Sequence, residues 1–140
     1  MGMISIGIVA AVLVILIVGF IPQLEKKIIY GLILAGLGFL YIGFTWSDLN
    51  QVTVSSLQAL IFLLLAYIGI RRTISLLTIG YFLHGAWDLL YNSFSSSHLI
   101  PPNYHLFCVS FDWTIGLYLL VLKFRKSKAH YSKKVYSQYT

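Results

Sequence analysis

The sequence predicts an all-α polytopic integral membrane protein, a bundle of five transmembrane helices with its N-terminus outside and its C-terminus in the cytoplasm. Three observations carry this expectation. Of 140 residues, 59% are hydrophobic and 10% charged, whereas a soluble domain carries roughly a quarter charged residues. The mean hydropathy is +0.84. The apolar residues also fall into five runs, each near the length of about 20 residues that crosses a hydrocarbon core. The links between them leave no room for a separate soluble domain.

The first run, 3–21, is apolar all round and stops at Pro22, ahead of Glu25, Lys26 and Lys27. It lacks a basic leader and a small-residue cleavage motif, so a retained span is expected rather than a signal peptide. Ile6 stands where a myristoylation signal requires Ser or Thr. The second run, 28–44, is rich in glycine, and Gly31 with Ala35 forms a small-xxx-small pair suited to close helix contact. An interfacial loop from Thr45 to Asn50 follows, with Trp46 at headgroup level.

The third run, 52–70, begins with Ser55, Ser56 and Gln58 and ends at Arg71 and Arg72. The fourth, 73–94, carries the most unusual content, from Tyr81 through His84, Trp87 and Asp88 to Tyr91 and Asn92. Serines 95–97, His98 and the pair Pro101-Pro102 then read as a loop, since paired prolines cannot continue a helix. The fifth run, 104–124, holds His105, Cys108, Asp112 and Trp113. Residues 1–124 are thus expected to form the transmembrane domain and 125–140 a basic cytoplasmic tail. Every span should be helical, because backbone polar groups in lipid must be satisfied within the segment.

The net charge of +6 does not point to nucleic acid, because the basic residues sit at the edges of apolar runs and in the tail. With five spans all ten lie on one face, which the positive-inside rule makes cytoplasmic. Anionic lipid headgroups on that face are the expected partners. The lone Cys108 excludes an intrachain disulfide and a multi-cysteine zinc or iron–sulfur site.

In this topology Asp88 and Asp112 come to the same depth in the outer half, roughly 9 Å or more below the outer helix ends. His84 and Asp88, four residues apart, share a helix face, and so do His105, Cys108 and Asp112. An ionisable side chain at that depth costs at least about 2.5 kcal/mol, so it normally faces the bundle interior and marks a site. His84, Asp88 and Asp112 are therefore the expected catalytic residues and a potential set of ligands for one divalent metal ion. Trp87, Trp113, Tyr91, His105 and Cys108 are expected around them as a substrate-binding wall. The competing bland reading makes His84, Asp88 and Asp112 interhelical glue, the tryptophans an aromatic belt, and Cys108 a small core residue.

The string from His84-Gly85-Ala86-Trp87-Asp88 to Tyr91, followed by Cys108 and Asp112, resembles a family of small bacterial membrane proteins, domain of unknown function 6010. The resemblance implies a shared site built on the second half of the chain and a bacterial inner (plasma) membrane. Where that family carries a His-His pair after the Trp-Asp, this chain has Tyr91-Asn92, which implies fewer histidine ligands here.

Three functions fit these features. The first is a membrane-embedded enzyme using acid–base or metal-assisted chemistry on a lipophilic substrate. The second is a small transporter or channel relaying protons or cations through the same residues, which would require a homo-oligomer to build a pathway. The third is an accessory membrane subunit. Phosphate loops, His-Glu-x-x-His and Gly-x-Ser-x-Gly are absent, and no buried lysine lies within a span, Lys123 standing at the cytoplasmic end of the fifth.

Overall fold

A computed structural model describes residues 2–23, 25–94 and 100–136, with the side chains of those up to 127 described except that of residue 94. His98 and the serines 95–97, expected in a loop, lie outside the described residues. Five helices follow in order: α1 (Met3–Phe20), α2 (Lys26–Thr45), α3 (Leu49–Arg71), α4 (Ile74–Phe94) and α5 (Tyr104–Tyr136). No strand occurs among the described residues. Four helices, α1, α2, α3 and α5 through Ser127, are long and apolar enough to cross a membrane. α4, at 21 residues, matches them in length but carries His84 and Asp88.

Local signals explain where the helices start and stop. Asp48 caps α3, its Oδ1 accepting from the backbone N–H of Asn50 at 3.0 Å and of Gln51 at 3.2 Å, as short polar side chains do at helix N-termini. α3 therefore begins three residues ahead of its apolar run, and the expected loop from Thr45 to Asn50 shrinks to a tight turn. Ahead of α5, Asn103 adopts φ 62°, a left-handed conformation that asparagine tolerates better than most residues. The helix α5 runs past Phe124, so the basic segment continues as helix to Tyr136.

The centre of the bundle is α4, which packs on α5, α3 and α2, while α2 also packs on α3 and α1 lies along the outside of α5. Gly31 makes the α2–α3 contact close, because a β-carbon there would strike the Ile70 side chain. Tyr81 ties α4 to α2, its hydroxyl donating to the Tyr30 carbonyl at 2.7 Å. The polarity of the molecule is inverted relative to a soluble domain. Leu13, Ile17, Leu57, Leu64, Leu117 and Val121 are exposed, whereas Thr45, Ser55, Gln58, His84, Asp88 and Asp112 are buried. Exposed apolar surface on this scale marks a surface made for an apolar partner, and it is compatible with a lipid bilayer.

Candidate functional site

α4 presents His84 and Asp88 on one face because they stand one turn apart, and α5 brings Asp112 against them. His84 Nδ1 lies 2.8 Å from Asp112 Oδ2 and 3.6 Å from Asp88 Oδ2. All three residues are fully buried. One nitrogen and two carboxylate oxygens from this trio lie within 4.8 Å of one another, close enough to hold a metal ion.

The close fit of α4 and α5 depends on Gly85. A β-carbon there would stand 2.6 Å from Trp113 Nε1, so glycine lets the indole rest in this position against α4. Polar satisfaction at the cluster is incomplete. Asp88 Oδ1 and Oδ2, Asp112 Oδ1 and His84 Nε2 are buried without a hydrogen-bond partner among the described residues. Leaving a buried polar atom unmatched costs about 1–3 kcal/mol, and more when it is charged. Among the described residues no lysine or arginine is buried in the bundle interior to balance two carboxylates.

The five residues expected around the cluster are placed differently. Cys108 is buried beside Asp88. Tyr91 stands toward the C-terminal end of α4, edge-on to Tyr41 at 5.1 Å and donating its hydroxyl to Gln51 Oε1 at 3.2 Å. Trp87 lies 6.5 Å from the Tyr91 ring but turns toward α3. Trp113 is exposed, against Gly85 and Phe82 on the outside of the α4–α5 seam. His105, half-buried in the first turn of α5, lies outside the three-residue cluster.

Sequence reasoning missed two neighbours of the site. Tyr41, fully buried on α2, adjoins Asp88, and Phe62 of α3 meets the His84 ring edge-on at 4.7 Å. A signal for Tyr41 existed, since Tyr30, Leu34, Leu37 and Tyr41 repeat at helical spacing and are all buried. Phe62 had none, because its helix is apolar on nearly every side.

Between α3 and α4, a cavity of about 320 Å³ opens to the side of the bundle, lined by apolar residues together with Gln58 and Trp87. Phe62 forms its floor and separates it from His84.

No curated protein and no solved structure matches the chain. A family model, described as a family of unknown function (DUF6010), matches residues 2–125, which extends the resemblance from the second half to nearly the whole length. The chain belongs to that family.

Proposed function

We propose that this protein is a membrane-embedded enzyme in which His84, Asp88 and Asp112 hold one divalent metal ion and act on a lipophilic substrate reaching them from the outer leaflet. The convergence of one imidazole nitrogen and two carboxylates within 4.8 Å, fully enclosed, carries the reading. Two carboxylates neutralise a divalent cation, and their unmatched oxygens gain the ligand they lack. Three protein ligands leave a coordination position free, the pattern of catalytic rather than structural sites. A metal held there would polarise a carbonyl or activate a water for hydrolysis or isomerisation.

The 2.8 Å contact between His84 and Asp112 supports a second reading, metal-free acid–base chemistry. In it Asp112 orients the imidazole and Nε2 moves the proton. Elemental analysis of protein purified without added metal separates the two. The first reading expects about one divalent ion per chain and turnover abolished by a chelator. Metal-free protein with full turnover contradicts it and leaves the acid–base version.

Burial favours an enzyme over a conduit. Toward the opposite end of the bundle Leu34, Leu77, Ile115 and Leu119 are fully enclosed, so the polar cluster adjoins packed apolar side chains on that side.

The proposed topology has five spans, with α4 crossing beside α3 and α5 and its polar residues turned inward. Lys27 Nζ donates to the Arg72 carbonyl at 3.4 Å, which sets two basic clusters side by side and supports a common cytoplasmic face against anionic lipids. A bacterial plasma membrane is the proposed setting. A Lys126→Cys variant tests the orientation, since buried Cys108 contributes little background. An impermeant thiol reagent is expected to label it in inverted vesicles and not in intact cells; labelling in intact cells contradicts the orientation.

A further inference from the structure

The three polar residues of the site come from α4 and α5, but α2 closes it on a further side and turns a tyrosine toward it. Asp88 is fully buried, and neither of its oxygens has a hydrogen-bond partner among the described residues. On the α3 side, Phe62 stands between His84 and the groove that Trp87 lines. Two donors face Asp88 from the other helices, the thiol of Cys108 on α5 and the hydroxyl of Tyr41 on α2. A thiol is a weak donor. The Tyr41 hydroxyl is therefore the stronger candidate to satisfy the carboxylate.

Packing fixes where that hydroxyl goes. Tyr41 is 1% exposed, and its ring stands 5.1 Å from that of Tyr91 and 6.4 Å from that of Tyr104, edge-on to both. Tyr91 follows Asp88 by three residues on α4, and Tyr104 precedes Cys108 by four on α5, so each ring lies about one turn from a residue beside the site. Both α2 and α4 run antiparallel to α3, since Gly38 meets Ala59 and Gly31 meets Ile70 on one side, while Tyr91 meets Gln51 and His84 meets Phe62 on the other. α2 and α4 thus share a direction. Helical side chains lean toward the N-terminus of their helix, which tips Tyr41 from the level of Tyr91 toward that of Asp88. The turn that carries it is tied to α3, because Thr45 Oγ1 lies 2.8 Å from the Tyr41 carbonyl oxygen and 3.2 Å from Ser55 Oγ. The hydroxyl faces Asp88 without closing a hydrogen bond, as is common at a site before its ligand arrives.

We infer that Tyr41 is a positioning residue of the site, its hydroxyl donating to one oxygen of Asp88 and holding the carboxylate so that the other oxygen stays turned to His84 and Asp112. This rests on the metal reading only in naming the ion that the second oxygen receives; the hydrogen bond itself does not involve the metal. Carboxylates that ligate metals are ordinarily held by such a partner, and here it comes from a third helix.

Two measurements on the purified full chain in lipid nanodiscs test the inference in a Tyr41→Phe variant: zinc affinity, and the infrared band of the Asp88 carboxyl group, assigned by its loss in Asp88→Asn. The substitution keeps the ring and its packing against Tyr91 and Tyr104 and removes only the hydroxyl. Zinc affinity is expected to fall about 10- to 100-fold, and the Asp88 band to shift in metal-free protein as well. Tyr30→Phe is the control, since it removes another buried tyrosine hydroxyl from α2, roughly three turns away. It should change neither readout. A shifted band in protein that binds no zinc supports the pairing and removes the metal centre. An unmoved band overturns the pairing, and zinc bound as tightly by Tyr41→Phe as by the wild type then leaves the metal centre intact, with Tyr41 serving only to pack.

Discussion

Replacing Asp112 by asparagine is expected to lower bound divalent metal from about one ion per chain to less than a tenth of that, and to cut turnover by at least about 100-fold, beyond the range found for losing a partner of a ligand. The substitution keeps the shape of the side chain and an oxygen able to accept from His84, whose Nδ1 lies 2.8 Å away. It removes only the negative charge. If the cluster were helix-packing glue, the hydrogen bond would persist and function with it. Stability gives a second readout with a change of sign. With metal at 100 times its dissociation constant, the wild type gains about 2.7 kcal/mol that the variant does not. In chelator the order is expected to reverse, because the wild type then buries two carboxylates with no cation, whereas the variant buries one. Thermal melts of both proteins with and without chelator check this directly.

Gly85→Leu is expected to destabilise the protein by about 1–3 kcal/mol through overpacking and to reduce metal occupancy severalfold although all three ligands remain. A β-carbon at that position would stand 2.6 Å from Trp113 Nε1 and 3.6 Å from the Asp112 Cβ. The new side chain must displace the Trp113 indole and crowd the α4–α5 seam, and α4 carries two of the ligands while α5 carries the third. Gly43→Leu is the control, since nothing lies within 4 Å of a β-carbon there. It should leave melting temperature and metal content unchanged. Equal effects at both glycines would show that the α4–α5 spacing does not govern the site.

The fold was legible because lipid imposes length and apolarity on each helix, and those properties survive in the bare order of residues. Where helices begin depended on finer chemistry. The apolar run of α3 starts at Val52, but Asp48 caps its end and draws the helix back to Leu49. In the site, the pairing of His84 with Asp88 follows from one-turn spacing, and the Pro101-Pro102 break folds α5 back along α4, bringing Asp112 to them. The tryptophans illustrate the limit of adjacency in sequence. Trp113 follows Asp112 directly and is therefore rotated by about 100° around the helix, so with Asp112 inside it faces out. Trp87 is turned from Asp88 in the same way and reaches the groove instead. Contributions from α2 and α3 were harder to read. Beyond Ser55 and Gln58 near its start, α3 gives little sign of which face meets its neighbours, so the place of Phe62 emerged only from the packing of helices in three dimensions.

The central claim, that His84, Asp88 and Asp112 jointly ligate one metal ion inside the membrane, is tested most directly by X-ray absorption spectroscopy of zinc-reconstituted protein in lipid nanodiscs. The account predicts a first shell with one imidazole nitrogen at about 2.0–2.1 Å and carboxylate oxygens at about 2.0–2.2 Å, the imidazole signature vanishing in His84→Ala. A shell of water oxygens alone, or an imidazole signal unchanged in His84→Ala, would contradict it.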